Sequence, residues 1–264
     1  YGRYEEANRL SRDFGELELV RTQDILRRVL PPAPAVIVDV GGGPGVYATW
    51  LAELGYRVHL VEPVPHHVEQ AQQRAATAGV ALASATCGAA DHIPLGGDEA
   101  DVVLLMGPLY HLPERPERLA ALTEAMRVLR SGGIVVAAAI TRFASALDAL
   151  DSGFIDDPLF KDAVYRTLTS GRHHNPTDNP NYFTTAYFHL PEELRTELAE
   201  SGLEAVTVYG VESIGWAAGD FSERLQDATL RHDLMELLRA VETEPSLLGM
   251  SPHLLALGRV PQEG

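Results

Sequence analysis

The chain has 264 residues, one cysteine and a formal net charge of −16, from 21 basic and 37 acidic residues. This negative charge repels a phosphate backbone or an anionic bilayer, and one cysteine excludes an internal disulfide and a multi-cysteine metal cluster. We therefore expect no nucleic-acid partner and no membrane association, and no apolar run is long enough to span a bilayer. A single α/β domain over 1–264 in a cytoplasmic protein fits these numbers.

The first segment, 1–30, has the apolar spacing of one or two amphipathic helices and ends at Pro31 and Pro32. The simplest expectation is that it covers one face of a sheet.

The next stretch, Val36 to Gly45, is the most informative part of the chain. Four β-favouring apolar residues surround Asp39, which predicts a buried strand. From Val46 the apolar spacing becomes helical and ends near Gly55. Between strand and helix, tight turns and close backbone approach are possible because of four glycines: Gly41, Gly42, Gly43 and Gly45.

A dinucleotide fingerprint needs G-x-G-x-x-G, and here its third glycine position falls on Val46. Asp39 would repel a pyrophosphate but could hold an ammonium group. The stretch resembles the first motif of class I S-adenosylmethionine-dependent methyltransferases, whose ligand carries such an ammonium group. The resemblance implies that Asp39 and the four glycines bind this cofactor. It also implies a second role for segment 1–30, as a lid over the cofactor with Tyr4 as its aromatic contact.

Tyr56 to Val61 reads as the second strand, with Glu62 at its end. An acidic side chain about twenty residues past the glycines can accept both ribose hydroxyls. The resemblance carries this role to Glu62 and places Pro63 beside the adenine. His66 and His67 begin the next helix and are expected to be solvated.

The third strand is predicted at Val80 to Ala85. In the family an acid in the following loop contacts the adenine amino group, but Ala89 occupies that position here. We expect Asp91 or a backbone carbonyl to replace it, and His92 to be a further cofactor contact. Asp101 to Met106 is predicted as the fourth strand, almost continuously apolar as a strand buried on both faces should be. We expect Met106, at its end, to be a further cofactor contact.

The loop 107–112 follows the fourth strand, where open α/β sheets bind ligands. His111, beside Tyr110, is the candidate for a general base, because imidazole titrates near neutral pH. The alternative is a histidine that only orients this loop. The loop lacks two residues of the Asp/Asn-Pro-Pro-aromatic motif of nucleic-acid and protein amide methyltransferases, so that activity is not expected. A helix then ends at Gly132 and Gly133, before a fifth strand over 134–140.

The segment 141–190 is predicted to be a helical cap inserted after strand five, with helices at 144–150 and 159–168 and a turn-rich remainder. Three histidines are enough to bind a metal ion, but the spacing of His173, His174 and His189 does not support such a site, and we expect no metal. A lining for the acceptor pocket is the functional interpretation, and packing within the cap is the alternative. The residues concerned are His173, His174, Tyr182, Tyr187 and Trp216.

Further helices are predicted at 191–202 and 221–241, and strands at 205–211 and 253–260. The fold expected is a Rossmann-like, seven-stranded, mostly parallel sheet with an antiparallel last strand and helices on both faces.

The resemblance implies transfer of a methyl group from S-adenosylmethionine to an oxygen, nitrogen or carbon atom of a small molecule. Most of the rate enhancement would come from holding the two reactants close together and from excluding water. A specialised metabolite as acceptor and a homodimer are further expectations. The alternatives are an S-adenosylmethionine-binding protein with other chemistry or a scaffold role, and, less well supported, a nicotinamide or flavin enzyme.

Overall fold

The computed structural model describes residues 14–175, 177, 179 and 182–262. These residues form two compact units. The sheet unit contains 30–138, 195–207 and 256–262, and the helical unit contains 14–29, 139–194 and 208–255. Nearly all of the segments predicted as lid and cap, where they are described, therefore belong to the helical unit.

Within the described residues the helices are α1 (Phe14–Val29), α2 (Val46–Glu53), α3 (Pro65–Thr77), α4 (Pro108–His111), α5 (Arg115–Val128), α6 (Ala144–Asp151), α7 (Pro158–Ser170), α8 (Pro191–Glu200), α9 (Phe221–Gln226), α10 (Ala228–Val241) and α11 (Pro245–Leu248). The strands are β1 (Val36–Val40), β2 (Arg57–Glu62), β3 (Ser84–Cys87), β4 (Ala100–Leu105), β5 (Leu129–Thr141), β6 (Arg172–His173), β7 (Ala186–His189), β8 (Glu204–Gly210) and β9 (His253–Arg259). In the part of the chain that the structure describes, no helix combines the length and the apolar character that a bilayer span requires.

The strand order is β3-β2-β1-β4-β5-β7-β6, and β9 pairs with both β5 and β8. Pairing is parallel from β3 through β7. Along β5, the Gly133 carbonyl accepts from Val260, and the Thr141 N–H donates to Pro252. The residue numbers of these partners fall as the residue numbers along β5 rise, so β9 runs antiparallel to β5. The predicted fold class is confirmed.

Two strand boundaries differ from the prediction. β3 begins at Ser84 rather than Val80, because the Val80 N–H is bonded to the Ala75 carbonyl at the end of α3. β5 begins at Leu129, since Gly132, at φ +75°, lets the strand continue through a bulge instead of separating it from α5.

The prediction also missed two strands and one helix break. The short strands β6 and β7 pair antiparallel inside the segment predicted to be turns. The helix predicted over 221–241 is interrupted at Asp227, whose carboxylate accepts the N–H groups of Thr229 and Leu230. Such an N-cap starts a new helix, α10.

The helical unit is held by an apolar cluster and by buried charges. Leu17 of α1 packs against α9 and α10 at Phe221, Leu225, Leu234 and Leu238. Arg21 is fully buried and donates to Asp24, to Glu242 and to the Val211 carbonyl. These contacts fix α1 to the C-terminal end of α10.

The sheet unit contains one buried ion pair that joins α5 to α8. Arg118, 1% exposed, donates from Nη2 to Glu197 Oε1 at 2.7 Å and from Nε to Oε2 at 2.9 Å. Its Nη1 donates to the carbonyls of Leu112 and Pro113, both at 2.9 Å. Arg118 therefore also fixes the chain that leaves α4.

We predict that Arg118→Met lowers the free energy of unfolding by about 3 kcal/mol, because Glu197 is then buried without its main cation. Urea denaturation measures the change. Arg57→Met, the same exchange at an exposed position on β2, should alter it by less than about 0.5 kcal/mol. A loss in Arg118→Met no larger than in this control would contradict the prediction.

Candidate functional site

The turn between β1 and α2 depends on its glycines. Gly41, Gly43 and Gly45 have φ values of +68°, +54° and +76°, a region that other residues enter only with strain. A Cβ at Gly41 would lie 2.9 Å from the Pro108 side chain, and one at Gly45 would lie 2.7 Å from the Ala71 Cβ. A Cβ at Gly43 would meet nothing within 4 Å. The turn is thus tightly packed at Gly41 and Gly45 and open at Gly43.

Asp39 lies beneath this turn, paired with Leu60 and Leu104 in the middle of the parallel strands. It is fully buried, and a Cβ at Gly42 would lie 2.5 Å from its Oδ2. Among the described residues, neither of its carboxylate oxygens has a hydrogen-bond partner. Burial, with help from the Glu62 charge, raises the pKa of Asp39 to about 7, and the Ala48 N–H opposes this shift without reaching hydrogen-bond geometry. Such a group is stabilised by a nearby cation or by a proton.

Glu62 ends β2 beside the same turn and is 4% exposed. Its Oε2 accepts the Gly43 N–H at 3.0 Å, and its Oε1 accepts the Val64 N–H at 3.1 Å. His67 Nδ1 lies 3.3 Å from the same Oε1. The expectation that His67 is solvated is therefore wrong, whereas the side chain of His66 is 72% exposed as predicted.

These residues fit S-adenosylmethionine as a ligand. The uncompensated carboxylate of Asp39 favours a cation such as the ammonium group of its methionine end. The open position at Gly43 leaves room for a ligand to come close to the backbone of the glycine turn. The Glu62 carboxylate can accept hydrogen bonds from a ribose.

Two further contacts hold the turn in place, and the sequence did not indicate either. Arg74 of α3 donates from Nε to the Pro44 carbonyl at 3.0 Å. On the other side, the Gly107 backbone packs against the Gly41 carbonyl, which a Cβ at Gly107 would approach to 3.3 Å. The glycine turn is therefore supported by α3 and by the loop after β4.

That loop contains the predicted catalytic residues, and part of it forms the short helix α4. The Tyr110 hydroxyl donates to the Met106 carbonyl at 3.1 Å. The Tyr110 and His111 rings meet edge to face, with centroids 4.6 Å apart. Met106, Tyr110 and His111 are all partly buried. The structure thus brings them into the loop that packs against the glycine turn.

The residues predicted beside the adenine lie on the other side of Glu62. The Gly88 N–H donates to the Glu62 carbonyl at 3.3 Å, which fastens the loop after β3 next to β2. Asp91 and His92 follow in this loop and are exposed, as is Pro63. Their cofactor contacts remain predictions. Tyr4 lies outside the described residues.

Two of the residues predicted to line the acceptor pocket are packed in the helical unit. His173 Nε2 lies 2.8 Å from the Tyr182 carbonyl, and its ring stacks on Phe188 at a centroid distance of 4.9 Å. Burial lowers the pKa of His173, which favours the neutral form of its ring. The Tyr182 hydroxyl donates to Asp157 Oδ2 at 2.5 Å. These contacts are those of a packed core.

The other three residues lie in separate surroundings. His174 is exposed and has Thr185 as its neighbour, with Nδ1 3.2 Å from Oγ1. Tyr187 lies with Arg142, whose guanidinium is over its ring. Trp216 donates from Nε1 to the Met250 carbonyl at 2.7 Å. A role for these five residues in acceptor binding remains a prediction.

A polar cluster in the helical unit had no sequence signal, because its members are far apart in the chain. The atoms of Glu18, Glu212 and His253 that could bind a metal ion lie within 4.8 Å of one another. His253 Nδ1 is 2.6 Å from Glu212 Oε1, which is a hydrogen-bond distance and is short for two ligands of one metal ion. Ser251 and the His253 N–H donate to the other oxygen of Glu212. The arrangement is a hydrogen-bonded carboxylate and imidazole.

Residues 38–137 match a family model described as "Methyltransferase domain". An uncharacterized methyltransferase of Mycobacterium bovis is 37% identical over 106 residues, which are 40% of this chain and 39% of that protein. A ubiquinone biosynthesis O-methyltransferase of Methylobacterium nodulans is 32% identical over 116 residues, 44% of this chain and 45% of that protein. The chain therefore aligns with less than half the length of these curated relatives.

A crystal structure of an S-adenosylmethionine-dependent methyltransferase from Methanosarcina mazei superposes with a TM-score of 0.61. The match covers 90% of this chain and 98% of that one, at 15% sequence identity. At such low identity the similarity shows the fold, and it agrees with the Rossmann-like sheet described above.

We predict that Asp39→Asn raises the melting temperature increasingly as the pH rises. The Asp39 pKa is about 7 in the folded chain, whereas an unperturbed aspartate has a pKa of 3.8, so ionisation destabilises the fold as the pH rises through this interval. Asparagine stays neutral. The gain should be small near pH 4 and level off above pH 7, at no more than about 4 kcal/mol.

Calorimetric melting between pH 4 and pH 8 checks this prediction. Asp98→Asn, the same exchange at an exposed position of the sheet unit, is the matched control, and the gain of Asp39→Asn is measured relative to it. A pH-independent gain for Asp39→Asn would show that its carboxylate does not titrate in this interval.

Proposed function

We propose that this chain, whose residues 38–137 match a family model described as "Methyltransferase domain", is a class I S-adenosylmethionine-dependent methyltransferase that transfers a methyl group from that cofactor to a small molecule. The observation that carries the proposal is the buried Asp39 carboxylate beneath an open glycine turn, with Glu62 at the end of the neighbouring strand. A ligand that offers a cation to one carboxylate and hydroxyl groups to the other matches this pair.

When bound, S-adenosylmethionine supplies an electrophilic methyl carbon on a sulfonium sulfur. The chain has to hold this ligand, align the acceptor and exclude water, which is worth several kcal/mol when the geometry is good. Asp39 contributes charge, Glu62 accepts hydrogen bonds from the sugar, and the glycine turn provides close backbone approach. His111, in the loop that packs against this turn, is the proposed base for acceptors that carry a proton.

A small molecule is proposed as the acceptor because the charge of −16 opposes the binding of nucleic acid. The name of one relative, a ubiquinone biosynthesis O-methyltransferase, supports oxygen as the first acceptor atom to test. Nitrogen and carbon acceptors, including specialised metabolites, belong to the same proposal.

We predict that S-adenosylhomocysteine stabilises the chain and that NAD does not. At a hundredfold its Kd the ligand adds about 2.7 kcal/mol to the free energy of unfolding. For a chain of this size the melting temperature should rise by about 5–10 °C. Glu62→Gln should weaken binding about tenfold, because the amide accepts fewer hydrogen bonds and has no charge. A shift with NAD and none with S-adenosylhomocysteine would favour an oxidoreductase.

The test of activity is a library of phenols, alcohols, amines and activated carbon acids, with release of S-adenosylhomocysteine as the readout. We expect product from at least one acceptor class, and Asp39→Asn should lower its rate at every acceptor concentration. Tight cofactor binding without product from any acceptor would instead favour the scaffold role.

For an acceptor that carries a proton, His111→Asn should lower kcat about 100-fold or more and remove the rise of kcat with pH. The loss follows because asparagine cannot take up the proton. His66→Asn, the same exchange at a histidine of the sheet unit whose side chain is 72% exposed, should leave the pH profile unchanged. Equal profiles for His111→Asn and wild type would exclude His111 as the base.

A further inference from the structure

The chain that follows β2 turns back onto the Glu62 side chain. The Val64 N–H donates to Glu62 Oε1 at 3.1 Å, and the His67 N–H donates to the Val64 carbonyl at 3.0 Å. Pro63 and Pro65 flank Val64 and restrict the backbone φ on both sides of it. The turn is therefore short and stiff, and it carries the His67 ring to the carboxylate.

The contact between the two side chains has a defined donor. His67 Nδ1 lies 3.3 Å from Glu62 Oε1, and the two side chains are 18% and 6% exposed. An ionised carboxylate only accepts hydrogen bonds, so the proton in this contact is on Nδ1 of the imidazole. This holds for the neutral ring and for the charged ring alike.

The Glu62 carboxylate is thereby held from two sides. The N–H of Gly43, in the glycine turn, donates to Oε2 at 3.0 Å, while the Val64 N–H and His67 Nδ1 donate to Oε1. A carboxylate offers about four acceptor positions, and three of them face these protein donors. The direction of the remaining position is fixed, which favours a ligand hydroxyl that approaches from that direction.

We propose that His67 is a positioning residue for the ribose of the cofactor: it orients the Glu62 carboxylate, whose remaining acceptor position takes a hydroxyl of the ribose diol. The inference rests on the proposed function, because it takes the nucleoside of S-adenosylmethionine as the occupant. His67 then contributes to affinity only for ligands that carry these hydroxyls. His66, on the same turn, has no such role, since its side chain is 72% exposed and lies 3.8 Å from Glu69.

Titration calorimetry with S-adenosylhomocysteine tests the proposal on four variants. His67→Ala removes the donor and should weaken binding about tenfold, while His67→Asp places a second carboxylate opposite Glu62 and should weaken it further. His67→Asn keeps an N–H donor near the Nδ1 position and should remain within about twofold of wild type. His66→Ala is the matched control and should leave the affinity unchanged.

A second pair of ligands separates positioning from a general structural role. 5′-Methylthioadenosine keeps the ribose diol without the methionine end, so His67→Ala should weaken its binding by the same factor. The 2′,3′-dideoxy analogue of S-adenosylhomocysteine lacks the diol, so wild type and His67→Ala should bind it equally. An equal loss for all three ligands would show that His67 only supports the fold.

Tighter binding by His67→Ala would show that the imidazole competes with the ribose, which also overturns the proposal. If the wild type binds S-adenosylhomocysteine and His67→Ala binds it equally well, only the role of His67 fails. If the wild type does not bind it at all, the proposed function fails as well, and the two failures are distinguished by this one measurement.

Discussion

The main constraint on the sheet unit is a buried carboxylate, Asp39, that has no hydrogen-bond partner among the described residues. Asp39 lies in a strand whose other members are apolar, with Leu60 and Leu104 beside it and Gly42 above it. An isolated buried carboxylate costs several kcal/mol, and a pKa near 7 expresses that cost as uptake of a proton. A chain selected for stability alone would place a leucine or valine there, so the charge is best explained by a ligand that compensates it.

The glycines and Glu62 follow from the same requirement. A turn that covers Asp39 must come close to its carboxylate, and any side chain at Gly42 would collide with Oδ2. Glu62 adds a second negative charge but differs from Asp39, because its carboxylate accepts hydrogen bonds from Gly43, Val64 and His67. The two carboxylates are thus specialised by their surroundings: one has no hydrogen-bond partner in the part of the chain that the structure describes, and the other is oriented for hydrogen bonding. A ligand with a cation at one end and a diol at the other suits both.

The sequence predicts the features that depend on neighbouring residues. The run of apolar residues around Asp39, the glycine spacing and the position of Glu62 are local, and the fold class follows from strands that alternate with helices. Features that depend on distant partners were missed. β6 has two residues, too few for any alternation to be visible, and Glu212 meets His253 across 41 positions. His67 is near Glu62 in sequence, but the direction of its ring depends on the turn between them.

The helical unit shows why composition is an ambiguous guide to binding. Aromatic and imidazole side chains suit an acceptor pocket and a packed core equally, and only the use of their polar atoms separates the two roles. The two ring nitrogens of His173 lie within hydrogen-bond distance of the Thr167 hydroxyl and the Tyr182 carbonyl. The Tyr182 hydroxyl donates to Asp157. Among the described residues of this unit, unused hydrogen-bonding capacity remains instead in the buried hydroxyls of Thr141, Ser145 and Ser213. Small hydroxyl residues of this kind leave no periodic pattern in a sequence, so the sequence alone does not single them out.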